Sequence, residues 1–415
     1  MTGFYNEKRW VKLSLALIIA LFTIINVYSV LRYNDYFLLG SIEKADNDDV
    51  KYIGSAWTLL EKGMLTYHDV NVPTVYIMPG HTIIIAAITG IFGKYGGITA
   101  FRLFQVLLQA LSILLVFLIG RTVFNSSVGI IAAFINATYV SEIFVTGTIL
   151  TEVEFKFLLL LLVYISINAI KTKKTRYYIE GGIVWGIACL FRPTIALYPV
   201  AILAAWLIYK YSFKEIFKFS IIVLVIFAAI MSPWWIRNYI VFNRFIPLTL
   251  SSGNPFLQGT YINYDQSKDY TPYTPSKDVI ETNEIEMKTG IYRLKTYFVK
   301  YPLKYIYWYT FGKSWYLWNY PFYWKEIFGI SVTMATVHHH LILIAGIPGI
   351  ISIFGNKSLE GIFLITVILY FSLSYLPFYT FSRYSYPMMP LVMLFSSYAV
   401  FKLYKGISAM CRTVP

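Results

Sequence analysis

Residues 45–63 read ADNDDVKYIGSAWTLLEKG, and the rest of the chain is arranged around this segment. Its acids form the densest acidic run next to a long apolar segment: Asp46, Asp48 and Asp49. Apolar residues follow them at helical spacing: Val50, Ile53, Ala56 and Leu60. This pattern predicts a short helix that begins at the acids, where the helix dipole favours negative charge and Asp is a good N-cap. Capping explains one of the three acids, so we expect the others to serve a site.

The composition is that of a protein embedded in a membrane. Of its 415 residues, 57% are hydrophobic and only 13% are charged, and the mean hydropathy is +0.60. Soluble domains are about 45–50% apolar and about 25% charged. Many windows contain the roughly 20 apolar residues that a helix needs to cross a bilayer. We therefore predict an all-α polytopic membrane protein.

The net charge of +14 is explained by orientation in the membrane. In a soluble protein this charge would suggest a nucleic-acid partner. Here much of it lies in short loops between predicted spans, where basic residues mark the cytoplasmic side. We therefore expect membrane lipids around the chain and no nucleic acid.

A short apolar run at residues 80–92 decides the predicted topology. About 13 residues are too few for a span and are typical of an interfacial helix. If the run crossed, the basic segment KTKKTRYY (171–178) would face outward, against the positive-inside rule. We therefore predict about ten spans with both termini in the cytoplasm. The predicted spans are residues 11–30, 98–120, 127–147, 154–170, 179–191, 194–209, 219–235, 333–354, 360–377 and 387–404.

Two external loops connect these spans. Residues 31–97 hold the acidic turn and the interfacial run, and residues 236–332 hold a turn-rich stretch followed by the aromatic segment 301–324. The aromatic segment has two lysines in its middle, which favours an interfacial helix over a span. Because the chain ends soon after its last predicted span, we expect residues 1–415 to form a single membrane module.

The unusual ionisable residues gather, in this topology, at the outer ends of the spans. They are Asp46, Asp48, Asp49, Glu142, Glu152, Glu154, Arg192, Arg237, Arg383 and His338 to His340. Charges at membrane depth are costly and mark a site or a pathway, so the set predicts an outward-facing pocket. Some have structural alternatives. Glu152 and Lys156 have the spacing of a helical ion pair, and Arg383 could anchor a span end by snorkelling.

The sequence lacks the motifs of nucleotide-driven catalysis. It has no Walker, GxSxG or GxGxxG motif, so the energy for a reaction must already lie in the membrane. No HxxxH or CxxC spacing indicates a metal site, and three consecutive His point in three helical directions. No cofactor is firmly implied, although the three Asp carboxylates leave a divalent cation open.

Several segments, taken in order, resemble the membrane-embedded glycosyltransferases of the GT-C fold, which include protein O-mannosyltransferase-like and aminoarabinose-transferase-like families. DDVKYIGSAWTLLEKG (48–63) is similar to the motif of the first external loop in these families, Asp-Asp/Glu-x-x-Tyr. The other similar segments are PGHTIIIAAITGIFG (79–93), AFRLFQVLLQALSILLVFLIGRTVFN (100–125), TGTILTEVEF (146–155), LFRPT (190–194), SPWWIRNYIVFNRFIPLT (232–249) and SRYSYPMMP (382–390). The resemblance covers nearly the whole chain.

The resemblance implies a GT-C-type bundle with external juxtamembrane helices in a bacterial plasma membrane. It implies a polyprenyl-phosphate-linked sugar as donor and a glycan, lipid or protein as acceptor, at an active site that faces outward. It places Asp48 at the position of the family's catalytic acid, with Tyr52 four residues on. Many members have Glu where this chain has Asp49, which leaves open how the two acids divide their tasks.

The expected chemistry is that of a hexosyl- or pentosyltransferase. We expect Asp48 to act as general base, with Asp49 or Glu152 positioning hydroxyl groups of the sugar or the acceptor. The candidate phosphate ligands are Arg192, Arg237 and Arg383, since a planar guanidinium gives bidentate contacts. Further candidate substrate contacts are Tyr52, Arg102, His338 and Tyr384. One carboxylate base with in-line displacement predicts inversion at the anomeric carbon.

Three rival functions are open at this point. A transporter or flippase for lipid-linked sugars usually has polar residues at the bilayer midplane and an inverted repeat, whereas here the charges crowd at one face. A polymerase or ligase of surface polysaccharide tends to have an external loop rich in Arg, and the loop after Arg237 is only moderately basic. A non-enzymatic scaffold leaves the acids and the arginines at the span ends without a purpose.

Overall fold

The fold is helical throughout the part of the chain that the structure describes. The computed structural model describes the backbone of residues 7–413 and the side chains up to residue 408. The chain termini, which were predicted to be cytoplasmic, lie outside these residues. Within them, the extended pairing is limited to one bridge between Ile327 and Ile330.

The described residues form seventeen α-helices. The first nine are α1 (Arg9–Tyr33), α2 (Asp48–Lys62), α3 (Pro79–Phe92), α4 (Lys94–Val123), α5 (Ser126–Thr138), α6 (Val140–Gly147), α7 (Glu152–Thr172), α8 (Thr175–Cys189) and α9 (Pro199–Ile208). The other eight are α10 (Phe213–Phe242), α11 (Gly253–Gly259), α12 (Val279–Arg293), α13 (Pro302–Tyr307), α14 (Lys313–Trp318), α15 (Val332–Asn356), α16 (Leu359–Tyr375) and α17 (Met389–Thr413). A π-helical turn joins α13 to α14, and we call the continuous segment Pro302–Trp318 the aromatic helix.

Six helical segments of the described chain are long and apolar enough to cross a membrane, or seven if α5 and α6 form one bent span. The bend between α5 and α6 is 54°. Segments predicted as spans near residues 194–209 and 360–377 form shorter apolar helices, Pro193–Ile208 and Leu359–Tyr375. Pro193 and Pro199 each begin a new helical piece, because proline fits only the first turn of a helix. The count of ten spans therefore stays a prediction.

Helix α2 is the helix that the spacing of residues 45–63 predicts. Its N-cap is Asn47, whose side chain accepts a hydrogen bond from Asp48 N, so neither Asp48 nor Asp49 is used as the cap. The helix ends at Gly63, where φ is +65°, a left-handed conformation that glycine adopts without steric cost. Ile53 and Ala56 are fully buried, and Asp48 and Asp49 occupy the first turn.

Helix α3 corresponds to the short apolar run that was predicted to lie in the interface. It has 14 residues and packs between α2 and α4. At 1.5 Å per residue its length is about 21 Å, less than the roughly 30 Å of a hydrocarbon core. It is therefore shorter than a span, and its contacts with both neighbours link α2 to the long helix α4.

A buried polar network joins α6, α7 and the turn before α17. Lys156 Nζ donates a hydrogen bond to Glu142 Oε2, and both side chains are fully buried. The Tyr386 hydroxyl donates to the same oxygen at 2.5 Å, and Asn136 Nδ2 donates to Glu142 Oε1 at 2.7 Å. Every oxygen of this buried carboxylate is thus paired.

The helical ion pair between Glu152 and Lys156, which the sequence left open as an alternative, is therefore not formed. Lys156 binds Glu142, and Glu152 binds arginines on other segments. Spacing along α7 allowed the pair, but tertiary packing supplies each side chain with a partner from outside its own helix.

This network gives a stability prediction. We expect Lys156→Met to lower the free energy of unfolding by about 3–5 kcal/mol, because Glu142 would be left as a buried charge without its counter-ion. The measurement is the melting temperature of the purified protein in detergent. The double variant Glu142→Gln/Lys156→Met should recover much of the loss. The control is Lys171→Met, which removes a partly exposed lysine 3.0 Å from Glu360 and should change stability little. A Lys156→Met melting temperature equal to that of the parent would contradict the prediction.

Candidate active site

Four charged side chains form a continuous chain of ion pairs, which we call the acid–arginine cluster: Asp48, Arg383, Glu152 and Arg192. Arg383 Nη1 donates to Asp48 Oδ2 at 2.9 Å, and Arg383 Nε donates to Glu152 Oε1. Arg192 Nη2 donates to that same Glu152 oxygen. The signs alternate along the cluster, so its two carboxylates balance its two guanidinium groups.

Each member of the cluster lies at or near the end of a helix. Asp48 begins α2 and Glu152 begins α7, and a helix N-terminus favours an acidic side chain. Arg192 follows the last turn of α8, and Arg383 lies in a short 3-10 turn before α17. Irregular backbone at these junctions directs the charges of four distant segments towards one point.

The structure separates the three acids of the opening segment. Asp48 accepts hydrogen bonds from Arg383 and, at 2.7 Å, from the Tyr67 hydroxyl, and 45% of its side chain remains exposed. Asp49 is fully buried and accepts a hydrogen bond from Leu39 N at 2.6 Å. Asp46 accepts one from Ser41 N at 2.8 Å. Asp48 therefore belongs to the cluster, whereas Asp49 and Asp46 bind backbone amides of the loop before α2.

The two neighbouring aspartates also differ in acidity. Burial by itself raises the pKa of Asp48, but the Arg383 guanidinium, the Tyr67 hydroxyl and Lys51 more than offset it, so this pKa lies below its usual value. Burial raises the pKa of Asp49 above its usual value, although backbone N–H groups oppose the rise. Asp48 is thus a carboxylate at neutral pH, with both oxygens already oriented by donors.

The cluster contains polar atoms that no described residue satisfies. Arg192 Nη1 and Glu152 Oε2 are buried and have no hydrogen-bond partner. Arg192 Nε donates to Thr151 Oγ1 at 2.9 Å, and its guanidinium lies 5.7 Å from the centre of the Tyr384 ring. A buried donor without a partner is costly. Arg192 can therefore offer one N–H direction to an anionic ligand.

Aromatic side chains form the wall of the cluster beside α2. The rings of Tyr52 and Tyr67 are 5.3 Å apart, and the ring of His81 lies edge-on to Tyr52 at 4.7 Å. His81 Nδ1 is 3.0 Å from Glu154 Oε1 in a fully buried pair. Sequence reasoning did not select Tyr67 or His81 as site residues. His81 lies in a segment that resembles the family, but a single His in an apolar run carries no distinguishing signal.

Two of the predicted substrate ligands bind the backbone elsewhere. Arg102 is fully buried, where its Nε donates to the Gly147 carbonyl at 2.8 Å and its Nη1 to Asn34 Oδ1 at 2.9 Å. Arg237 Nη1 donates to the Thr74 carbonyl at 2.7 Å. The structure therefore does not bring either arginine into the cluster, because each donates to a backbone carbonyl outside it.

His338 likewise is not part of the cluster and lies beside the residue that precedes α6. It is half-buried beside the Tyr139 ring, with 5.9 Å between ring centres. The adjacent His339 joins Tyr139 to the end of the aromatic helix, with its ring nitrogens 2.8 Å from the Tyr139 hydroxyl and 2.7 Å from the Trp318 carbonyl. The three consecutive His thus do not act as one site.

The acidic turn does not have the geometry of a metal site. Its three carboxylates bind Arg383, Leu39 N and Ser41 N, and so point to different partners. Within residues 7–408, no three His, Cys, Asp or Glu side chains are grouped closely enough to hold a metal ion. The side chains described here do not fit the divalent cation that the sequence left open.

Known proteins resemble the chain in sequence profile and in fold. The profile of the family described as dolichyl-phosphate-mannose-protein mannosyltransferase matches residues 73–236, which is less than half of the chain. A comparison with curated proteins finds no match.

Among solved structures, the archaeal oligosaccharyltransferase AglB from Archaeoglobus fulgidus, in complex with an inhibitory peptide and a dolichol-phosphate, has a TM-score of 0.57 at 13% identity. The match covers 95% of this chain and 51% of AglB, so the chain spans about half the length of that protein. ArnT from Cupriavidus metallidurans bound to undecaprenyl phosphate has a TM-score of 0.54 at 13% identity, over 95% of this chain and 63% of ArnT. The family profile and the shared fold thus confirm the resemblance that the motifs indicated: the chain is a multi-pass membrane protein that shares the GT-C fold of AglB and ArnT.

Proposed function

We propose that the chain is a glycosyltransferase that moves a sugar from a polyprenyl-phosphate donor to a hydroxyl group of an acceptor, with Asp48 as general base. The observation that carries the proposal is the acid–arginine cluster itself. It holds a partly exposed carboxylate, Asp48, against a guanidinium group, and it contains an unpaired donor at Arg192 Nη1. A base for the acceptor and a cation for the leaving phosphate are the two groups that this reaction needs.

In the proposed reaction, the acceptor oxygen attacks the anomeric carbon while its proton passes to Asp48. The bond between the anomeric carbon and the phosphate oxygen breaks, and the electron pair leaves with the phosphate. Arg383 and Arg192 stabilise the negative charge that develops on the departing phosphate. With a single exposed carboxylate at the cluster, in-line attack inverts the anomeric carbon.

Glu152 has a different task from the one that the sequence suggested. Both arginines donate to its Oε1, so it orients the two guanidinium groups and balances their charge before the donor arrives. Asp49 is buried against the Leu39 amide and fixes the turn that presents Asp48. We propose that both residues position the machinery and that neither contacts a hydroxyl group of the sugar.

The lipid tail of the donor has a candidate path along the aromatic helix. A cavity of about 740 Å³ lies between the aromatic helix and α15, lined by residues that include Tyr307, Phe311, Trp315 and Ile344. The aromatic helix ends at Trp318, which also lines this cavity. Shortly after it, the centre of the Phe322 ring lies 6.1 Å from that of Tyr386, and Tyr386 is three residues after Arg383 in the sequence. A prenyl chain in this cavity would point its phosphate towards the arginines.

The distribution of charge supports an active site that faces outward. Glu152 begins α7, while Lys171, Lys173 and Lys174 lie at its other end. The 21 residues of α7 separate these ends by about 30 Å. If the basic end is cytoplasmic, the cluster lies at the outer surface of a bacterial plasma membrane, and residues 1–415 act there as one module. A transporter would instead place such charges near the midplane.

The base hypothesis predicts the effect of Asp48→Asn. We expect the consumption of polyprenyl-phosphate sugars to fall by at least about 100-fold, because the amide cannot take up the acceptor proton. Binding of undecaprenyl phosphate should remain measurable. The assay follows donor consumption in membranes that supply the natural acceptor, with a panel of hexose and pentose donors. The matched control is Asp46→Asn, which likewise replaces an aspartate by asparagine, two residues earlier in the chain. Substantial turnover by Asp48→Asn would move the base elsewhere.

The donor-binding role of Arg192 predicts a second result. Arg192→Gln should weaken the binding of undecaprenyl phosphate by about tenfold or more, because a charge-assisted hydrogen bond is lost. Arg237→Gln should bind this probe like the parent, because Arg237 is occupied by the Thr74 carbonyl. Binding can be measured by microscale thermophoresis. If Arg237→Gln weakened the binding of undecaprenyl phosphate and Arg192→Gln did not, Arg237 and not Arg192 would be the phosphate ligand.

The acidity of Asp48 predicts a third result. Because Arg383 holds the pKa of Asp48 below its usual value, the acid limb of the pH profile of kcat/KM should lie below about pH 4. In Arg383→Gln the guanidinium charge no longer opposes the effect of burial on the pKa of Asp48, so this limb should move to higher pH, whatever the loss in rate. An acid limb that stays in place would show that Asp48 is not the titrating base.

A further inference from the structure

The exposed end of the acid–arginine cluster, at Asp48 and Tyr67, is next to the hydroxyl group of Tyr76, and we call this region the mouth of the cluster. The ring of Tyr76 stacks on that of Tyr67 at 5.5 Å with an interplanar angle of 17°, and Tyr67 in turn donates to Asp48. Tyr76 is only half-buried, and no described residue forms a hydrogen bond with its hydroxyl group. This places a free phenol beside the exposed carboxylate.

The second external loop brings another carboxylate to the same mouth. Leu250 N donates to the Val75 carbonyl at 3.0 Å, which ties this loop to the residue before Tyr76. Four residues after Leu250, Asn254 Nδ2 donates to Glu286 Oε1 at 2.8 Å. The Tyr273 hydroxyl donates to the same oxygen at 2.9 Å. Both bonds use Oε1, so Glu286 Oε2 is left for a ligand.

Electrostatics agrees with this arrangement. Burial raises the pKa of Tyr76 to about 12, and the carboxylates of Asp48 and Glu286 both add to the rise. Asp48 and Glu286 therefore both lie within electrostatic range of the phenol, which stays protonated at neutral pH. The mouth thus combines two carboxylate acceptors, one phenol, one amide and stacked aromatic rings.

We infer that Tyr76, Asn254 and Glu286 form the acceptor subsite and that the acceptor is a neutral carbohydrate. The inference depends on the proposed function, because in that reaction Asp48 deprotonates one hydroxyl group of this sugar. Neighbouring hydroxyl groups of a sugar can donate to Glu286 and accept from Tyr76, and its C–H face can lie against the aromatic rings. A phosphate group on the acceptor would be repelled by Glu286, whose hydrogen-bond partners Asn254 and Tyr273 are uncharged. The charge of Asp48, in contrast, is offset by Arg383 and Lys51.

The test measures binding directly. The purified protein is titrated with a panel of neutral methyl hexosides and pentosides, and binding is followed by saturation-transfer NMR. A detergent without a sugar head group is needed, because a maltoside would compete. We expect at least one glycoside to bind the parent, with affinity reduced about tenfold in Glu286→Gln and also reduced in Tyr76→Phe. The matched control is Glu284→Gln on the same helix, which removes a carboxylate that faces Arg244 and should bind like the parent.

The outcomes separate this inference from the proposed function. Melting temperatures identify a variant that fails to fold, and Tyr76→Phe, which removes a single oxygen, then decides the result. Glycoside binding that depends on Glu286, without consumption of any polyprenyl donor, would overturn the proposed function and keep the carbohydrate subsite. Donor consumption by a protein that binds no glycoside, or equal binding by the parent, Glu286→Gln and Tyr76→Phe, would overturn the subsite.

Discussion

The bridge that Arg383 makes between Asp48 and Glu152 is the contact on which the rest of the site depends. It joins the turn before α17 to the first residues of α2 and α7. Because Arg383 and Glu152 are buried, each charge is stabilised by the other, and removal of either partner would leave a buried charge less well compensated. Loss of one partner would therefore disturb three elements of the fold and the acidity of Asp48 together.

Pairing of buried charges also explains where reactivity can arise. The cluster is electrically balanced, and its buried members, Glu152, Arg192 and Arg383, compensate one another's charges. Only Asp48, at its outer end, keeps a large exposed fraction. The pair of Glu142 and Lys156 follows the same principle without an exposed member, and we expect it to contribute to stability. The two groups of paired charges therefore differ in exposure: the acid–arginine cluster has an exposed end at Asp48 and is a candidate site, whereas the pair of Glu142 and Lys156 is buried throughout.

Particular residues show how far the sequence predicts this protein. The helical spacing after Asp49 predicted α2 to within a few residues, and the short run at 80–92 became a short helix. Asp48, Glu152, Arg192 and Arg383 were all named before the structure, and the structure brings them together. Arg237, which was expected to bind phosphate on the same grounds, and Arg102, which was expected to contact substrate, donate to backbone carbonyls instead. Nothing in the sequence was a reason to select Tyr67, which donates to Asp48, or Glu286, which the inferred acceptor subsite uses, because a loop tyrosine and a helical glutamate look ordinary in a sequence.

The sequence by itself determined the membrane character, the helical class and the acidic turn, because hydropathy, helical periodicity and capping are local properties of neighbouring residues. Only the tertiary structure decided which charge binds which. Asp48 and Arg383 are 335 residues apart, and the pairing of Glu152 with arginines instead of Lys156 follows from how α7 packs. A charge at membrane depth must find a partner, but the sequence does not say which of several candidates the fold will place within reach.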